Sequence, residues 1–262
     1  MAQLAVLEVH DLGIRFGGLQ ALEAVTFKAD EYEIVGLMGP NGAGKTTAFN
    51  CITGFYEPTT GTISYRGRDI TSLRPDQRAA LGIGRTFQQV GLVRTMTVLE
   101  NLLTAQHARI RYGAASGMFG IPNALVEERE LVRRAMEVMD FMGMTRLAHT
   151  PLAGLPYGTL KMVEASAVLA TDPDLLLLDE PSAGMSPEES HEFGELLLRI
   201  RKQLGVTIVM IEHHVPMVVA VCDYIYVLNF GRLLAQGLPA EIQSHPEVIS
   251  AYFGEEETYG AA

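Results

Sequence analysis

The chain has 262 residues, 48% of them hydrophobic, and Asp and Glu outnumber Lys and Arg by 31 to 20 for a net charge of −11. That length and apolar content can fill one large α/β domain or a core with a smaller lobe, while the acidic balance excludes a broad nucleic-acid surface, which needs clustered cations to displace counterions. The start MAQLAVLEVHDL lacks the basic opening and long apolar run of a signal peptide, and no window approaches the roughly 20 apolar residues of a membrane helix, so the chain is expected not to span a bilayer.

From Leu4 to Lys28 short apolar runs, LAVLEV, GIRF and AVTFKA, are separated by Asp11, Gly13 and the pair Gly17 and Gly18, which predicts strands of an antiparallel sheet. Glu33 to Met38 reads as the strand feeding a glycine-rich loop, and Gly61 to Tyr65 resumes the antiparallel pattern. Pro75 suits the first turn of a short helix through Leu81. Ile83 to Phe87 reads as another strand, ending in Gln88 and Gln89. Cys51 and Cys222 lie far apart in sequence and are expected to be buried free thiols, as in a reducing cytoplasm.

Beyond Met96 the period becomes helical. Val98 to His107 is one predicted helix, and Ala108 to Ala124, with Gly113, Gly117, Gly120 and Pro122, is a loop or irregular insertion. Val126 to Met142 is a predicted amphipathic helix with Val132, Ala135, Met136 and Met139 on its apolar face. The strand pattern returns in Leu175 to Leu178, a continuous apolar run suited to a sheet covered on both faces. Ser186, Pro187 and Glu189 form a helix start, with the hydroxyl as N-cap and the proline in the first turn. That helix runs to about Lys202. Val206 to Ile211 is a second buried strand, and Tyr224 to Leu228 with Leu233 to Gln236 make a hairpin.

The chemistry is concentrated at the ends of these strands. Gly39 to Thr47, GPNGAGKTT, follows an apolar strand and opens a helix. Its glycines let successive N–H groups of Gly39, Asn41, Gly42, Ala43 and Gly44 turn inward onto phosphate oxygens at the positive end of the new helix. Lys45 supplies a mobile cation for the outer phosphates, and Thr46, followed by Thr47, places a hydroxyl where Mg²⁺ would need a ligand. Asp179 and Glu180 follow a buried strand at its carboxyl end, where open α/β sheets place ligands. Asp179 is the candidate Mg²⁺ ligand and Glu180 the group that polarises a water attacking the terminal phosphate.

In this order the motifs resemble an ATP-binding cassette protein, the ATPase subunit of an ABC transporter, over almost the whole chain. The resemblance implies a single cassette of α/β class, a P-loop NTPase core with an antiparallel β subdomain and an inserted helical subdomain. Its parts would be 1–95 for the β subdomain and the start of the core, 96–160 for the helical subdomain with the signature, 161–240 for the rest of the core and 241–262 for a C-terminal helical tail. It further implies that Gln88 of TFQQ touches Mg²⁺ and reports to a membrane partner, that Leu155, Pro156, Tyr157, Gly158 and Thr159 stand in the place of the LSGGQ signature, and that His213 of IEHH contacts the terminal phosphate. Phe16 matches the aromatic that stacks on adenine. In this family the signature of one subunit covers the nucleotide of the facing subunit, so hydrolysis requires a pair of cassettes.

Several positions depart from the family pattern. Pro156 stands where a serine would donate a hydrogen bond, Tyr157 replaces the first signature glycine and Thr159 the glutamine. Ser186 replaces the usual aspartate and His214 the aspartate after the switch histidine, Ala167 lies where the helix commonly carries arginine, and Tyr32 takes the place of a glycine. The loop lysine, both strand-end acids, Gln88 and His213 are retained, which predicts an active ATPase with an altered signature side.

The LPYG form of the signature, the insertion after NLLTAQH, the phrase DEPSAGMSPEE and the ending VLNFGRLLAQGLPAEIQSHPEVISAYFGE resemble the ATP-binding subunits of branched-chain amino acid importers, in particular the longer of their two ATPases. That implies a complex with a second ATPase subunit, two membrane-spanning permease subunits and an extracytoplasmic substrate-binding protein. The chain would lie peripherally on the cytoplasmic face of the inner membrane, with ATP and Mg²⁺ as its ligands. Urea and amide importers use similar cassettes, and a soluble ABC ATPase or a nucleotide-binding regulator without turnover are the readings from other classes.

Overall fold

A computed structural model describes residues 5–86, 91–109 and 122–253. Contacts divide the chain into two compact units, Met1–Arg85 with Asp174–Ala262, and Thr86–Pro173.

The first unit is built on two sheets. β1 (Ala5–Phe16) and β2 (Leu19–Asp30) form a long antiparallel hairpin, extended by β4 (Thr60–Tyr65) and β5 (Arg68–Asp69) in the order β2-β1-β4-β5. Asp11 and Gly13 interrupt the register without ending the strand: Asp11 has φ 47°, and the pairing shifts between Val9 and Leu12 and again between Leu12 and Ile14. Residues that read as separators are therefore irregularities within one strand, and the freed Asp11 N–H donates to Thr26 Oγ1 at 2.9 Å.

The second sheet has six strands in the order β10-β9-β3-β8-β7-β6. β3 (Ile34–Met38), β7 (Leu175–Asp179) and β8 (Thr207–Ile211) are buried at every position. β6 (Ile83–Arg85) pairs parallel with β7, β7 with β8, β8 with β3, and β3 with β9 (Tyr224–Asn229). β10 (Arg232–Gly237) closes the edge as an antiparallel hairpin with β9, turning at Phe230 (φ 45°) and Gly231 (φ 76°), the paired positive φ of a tight hairpin turn. Leu7, Leu22 and Ile63 of the antiparallel sheet share one apolar core with Phe49, Leu177 and Val209. Each such side chain contributes about 1.5–3 kcal/mol over its exposed state.

α1 (Lys45–Ile52) follows β3, and α2 (Pro75–Ala80) starts on its proline as expected. The guanidinium of Arg78 in α2 is buried against the end of α1. Nη1 donates to the Cys51 and Ile52 carbonyls at 2.5 and 2.7 Å, while Nε and Nη2 reach Leu73 O and Thr71 O. A cation at the negative end of α1 satisfies carbonyls that have no partner within the helix. Both cysteines are free and buried.

In the second unit α3 (Val98–Ala105) ends two residues earlier than its periodicity suggests and passes into a 3₁₀ turn, Gln106–Arg109. α4 (Pro122–Phe141) begins earlier than expected, on a proline, and residues 110–121 of the expected insertion lie outside the described residues. Its buried face is a correction. Val132 is 39% exposed, whereas Ala135 and Met139 are buried and Leu131 and Val138 partly so. The stripe runs along i, i+4, i+7 and i+8 from Leu131, which leaves Val132 about 75° from its axis, at the solvent edge. α5 (Tyr157–Leu169) completes this unit. Back in the first unit, α6 (Pro187–Arg199) and a π-helical turn, Ile200–Leu204, carry the helix past Lys202; α7 (Val215–Val221), α8 (Pro239–Gln243) and α9 (Pro246–Phe253) follow.

Candidate functional site

The turn after β3 bends on positive φ at Gly39 (144°), Gly42 (79°) and Gly44 (102°). At Gly39 a Cβ would run into the Leu228 carbonyl oxygen and at Gly44 it would sit 2.6 Å from Leu22 Cδ2, so both positions need the missing side chain as well as the backbone freedom. The turn is tied down by Ala43 N–H donating to Pro40 O at 3.2 Å and Gly231 N–H to Ala43 O at 3.0 Å. α1 starts with Gly44 as N-cap and no side-chain cap, leaving the helix end open to an anion.

Lys45 folds back over this turn. Its Nζ donates to Gly39 O at 2.6 Å and Pro40 O at 2.9 Å, and only 7% of the residue is exposed. Burial lowers the ammonium's pKa from its ordinary value, and the charges of Glu180 and Asp179 oppose that shift. The cation is thus held close to two carboxylates. Asn41 and Thr46 are exposed beside it, and Thr47 is half-buried.

Sheet topology brings the remaining acids to the same edge. β3, β8 and β7 are adjacent parallel strands, with Leu37 and Asp179 both in register with Ile211. The glycine-rich turn, His213 and Asp179–Glu180 therefore leave neighbouring strands, spaced about 4.8 Å apart, at their carboxyl ends. Glu180 has φ 49°, a left-handed conformation rare for a residue with a side chain, and its N–H is fixed on Ile211 O at 2.9 Å. Such strain persists only where the surroundings hold it. Nδ1 of the exposed His213 lies 3.9 Å from Glu180 Oε1.

Two residues that motif reading passed over organise this edge. Glu212 is fully buried at the end of β8; its Oε1 accepts the Ser182 N–H at 2.7 Å and its Oε2 those of His213 and His214 at 3.2 and 3.4 Å. One carboxylate thereby ties the histidine turn to the turn after Glu180. Arg85, the last residue of β6, places Nη2 3.0 Å from Asp179 Oδ2, both side chains being almost wholly buried. Its Nη1 donates to Asn50 Oδ1 at 2.7 Å and Thr53 Oγ1 at 3.0 Å on α1, and the guanidinium stacks 5.6 Å from the Phe49 ring centre. The signals were available: a lone cation inside a predicted strand, and an acid directly after an apolar run.

The other expected site residues fall as follows. Phe16 ends β1 with its ring 44% exposed and edge-on to Tyr56, with centroids 5.1 Å apart. Gln88 lies outside the described residues. In the second unit Pro156 is the N-cap of α5, Tyr157 is exposed over Lys161 (5.9 Å), Gly158 is buried in the first turn, and Leu155 and Thr159 are half-buried. The left-handed glycine of this segment is Gly154, φ 94°. Ser186 caps α6 as expected, accepting Glu189 N–H at 3.2 Å while its own N–H donates to Glu189 Oε2 at 2.9 Å. Tyr32, in the place of a glycine, has φ 63°, which explains the family's preference there.

The family model described as ABC transporter matches residues 22–183, and one described as branched-chain amino acid ATP-binding cassette transporter matches residues 232–258. The chain is 45% identical over 250 residues to the high-affinity branched-chain amino acid transport ATP-binding protein LivG of Salmonella typhimurium, covering 95% of this chain and 98% of the relative. Among solved structures it is similar to the ADP conformation of MJ1267, an ATP-binding cassette of an ABC transporter, at 30% identity and TM-score 0.83, over 95% of this chain and 98% of the other. It also resembles a dimeric post-hydrolysis state of the cassette MJ0796 bound to ADP and Pi, at 26% identity and TM-score 0.74, over 89% and 98%. The chain belongs to the ATP-binding cassette proteins of ABC transporters, within their branched-chain amino acid branch.

Proposed function

We propose that this ATPase powers an importer of branched-chain amino acids, working as one of a pair of cassettes on the cytoplasmic face of the membrane. The observation that carries the reading is the convergence of Lys45, Asp179, Glu180 and His213 on three adjacent strand ends. Among the described residues no helix is long and apolar enough to cross a membrane, so transport would fall to membrane-spanning permease subunits, supplied by an extracytoplasmic binding protein.

In this reading the backbone N–H groups from Asn41 to Thr47 and the open end of α1 bind the ATP phosphates, with the Lys45 ammonium over the outer ones, while the Gly39 N–H, expected to face the phosphates, is instead taken by the Tyr252 hydroxyl. Phe16, braced by Tyr56, receives the adenine. The donor set suits Mg²⁺: the exposed Thr46 hydroxyl and the buried Asp179 carboxylate are hard oxygen ligands, with Gln88 as a third. When bound, the ion neutralises charge on the phosphate oxygens. Glu180 accepts the hydrogen bond of the attacking water and draws off its proton, and His213 steadies the terminal phosphate.

Leu155 to Thr159 would cover the nucleotide of the facing cassette. Pro156 offers neither hydroxyl nor N–H, so the backbone donors of the first turn of α5 take over the phosphate contact. The dimeric cassette with ADP and Pi among the similar structures supports a paired arrangement. Closure over ATP and reopening after hydrolysis would then drive the permease.

The test is ATPase activity of the chain reconstituted with its co-purifying membrane subunits, with binding protein loaded with leucine, with urea or with nothing. Stimulation by leucine alone is the expected result. Activity indifferent to the loaded receptor would overturn the importer assignment, and stimulation by urea would replace the substrate.

A further inference from the structure

The C-terminal helix makes a contact that the phosphate-site reading does not use. β3 leaves the sheet after Met38, which is still paired with Val227 of β9. The next residue, Gly39, is buried, pressed against the Leu228 carbonyl, and followed by Pro40, which has no N–H. The Gly39 N–H is thus the last backbone donor before the phosphate-binding turn. It donates to the hydroxyl of Tyr252, 213 residues away on α9, at 2.7 Å.

We propose that Tyr252 is a positioning residue of the phosphate loop, its hydroxyl holding the Gly39 N–H so that the loop enters its turn in the binding conformation. The two polar groups flanking the Gly39 Cα are then both fixed. Tyr252 takes the N–H and Lys45 Nζ donates to the carbonyl at 2.6 Å, which clamps the backbone at φ 144°. Burial pushes the phenol up to about 12, so at neutral pH it is protonated and available as a neutral acceptor. α9 is itself seated against β10 and α8, with Val248 buried, so the hydroxyl is carried on a packed element. The inference rests on residues 39–47 being the phosphate site, and it gives the C-terminal segment matched by the branched-chain model, residues 232–258, a task in nucleotide binding.

The experiment uses the full-length chain and a fluorescent ATP analogue, with Tyr252→Phe, Tyr252→Leu and Lys45→Ala side by side. Tyr252→Phe keeps the ring and removes the acceptor. It is expected to raise the Kd about fivefold, the size of one lost hydrogen bond, and to speed exchange of the Gly39 amide proton. Tyr252→Leu should bind no more tightly than Tyr252→Phe. If Tyr252→Phe binds within twofold of wild type while Lys45→Ala does not bind, the positioning role is refuted and the phosphate site stands. If Lys45→Ala binds as wild type, the phosphate-site reading falls and takes the inference with it. A Tyr252→Phe variant that melts earlier but binds normally would show the tyrosine to be structural only, which also refutes the proposal.

Discussion

The buried pair Arg85–Asp179 offers the most direct quantitative test of how this site is held together. Replacing Arg85 by Met keeps most of the volume but leaves the Asp179 carboxylate, 1% exposed, without the guanidinium 3.0 Å away, and removes the donor to Asn50 and Thr53. Removing one member of a buried ion pair costs about 3–5 kcal/mol, because the remaining charge has lost its solvation and the attraction of the opposite charge. At roughly 2 °C per kcal/mol for a chain of this size, the melting midpoint should fall by about 6–10 °C. Urea unfolding would read the change as a lower midpoint at unchanged slope. The double variant Arg85→Met with Asp179→Leu should be more stable than Arg85→Met alone, since no buried carboxylate then lacks the guanidinium. A single variant losing less than about 1 kcal/mol, or a double variant losing the sum of both singles, would refute the reasoning.

Three further outcomes follow from the geometry. Glu180→Gln should bind ATP, hydrolyse it at least about a hundredfold more slowly and hold the cassette pair closed, checked by turnover and by size-exclusion chromatography with the partner ATPase. Ser186→Ala should cost about 1 kcal/mol in urea unfolding through loss of the α6 cap, while Ser186→Asp should cost little, since aspartate caps as well. The Cys51 thiol is pushed by burial from 9.0 to about 11, so its contribution to stability is complete below pH 9 and is lost as pH rises through 11. Unfolding free energies measured from pH 8 to pH 11 should fall less steeply for Cys51→Ala, and in the native wild-type chain at pH 8 neither buried thiol should react with a thiol reagent until denaturant is added.

Much of this site was legible residue by residue because its chemistry is local. A glycine-rich turn after an apolar strand declares its backbone needs, and an Asp-Glu pair after four leucines declares a strand end, since a charge is tolerated there only where an opposite charge, hydrogen-bond donors, a ligand or solvent meets it. Ser186 and Pro75 likewise announced helix starts through contacts made within a few residues. Periodicity was weaker: it placed Val132 on the apolar face of α4, but the direction of the buried stripe depends on what the helix packs against, and Leu131 and Val138 took that role.

What the chain alone determined, then, was the inventory: the glycine-rich turn, the paired acids, the histidine after the Val206 to Ile211 strand, the strands that carry them and the family to which they belong. Tertiary structure decided which strands are neighbours, and so that Lys45, Glu180 and His213 meet at one sheet edge. It also decided the supporting contacts, Arg85 with Asp179, Glu212 with the two turns, Arg78 on the end of α1 and Tyr252 on Gly39. Those partners are far apart in sequence and leave no local pattern, because a buried charge or backbone donor requires only that some partner be present, and the packing of the sheet selects which one.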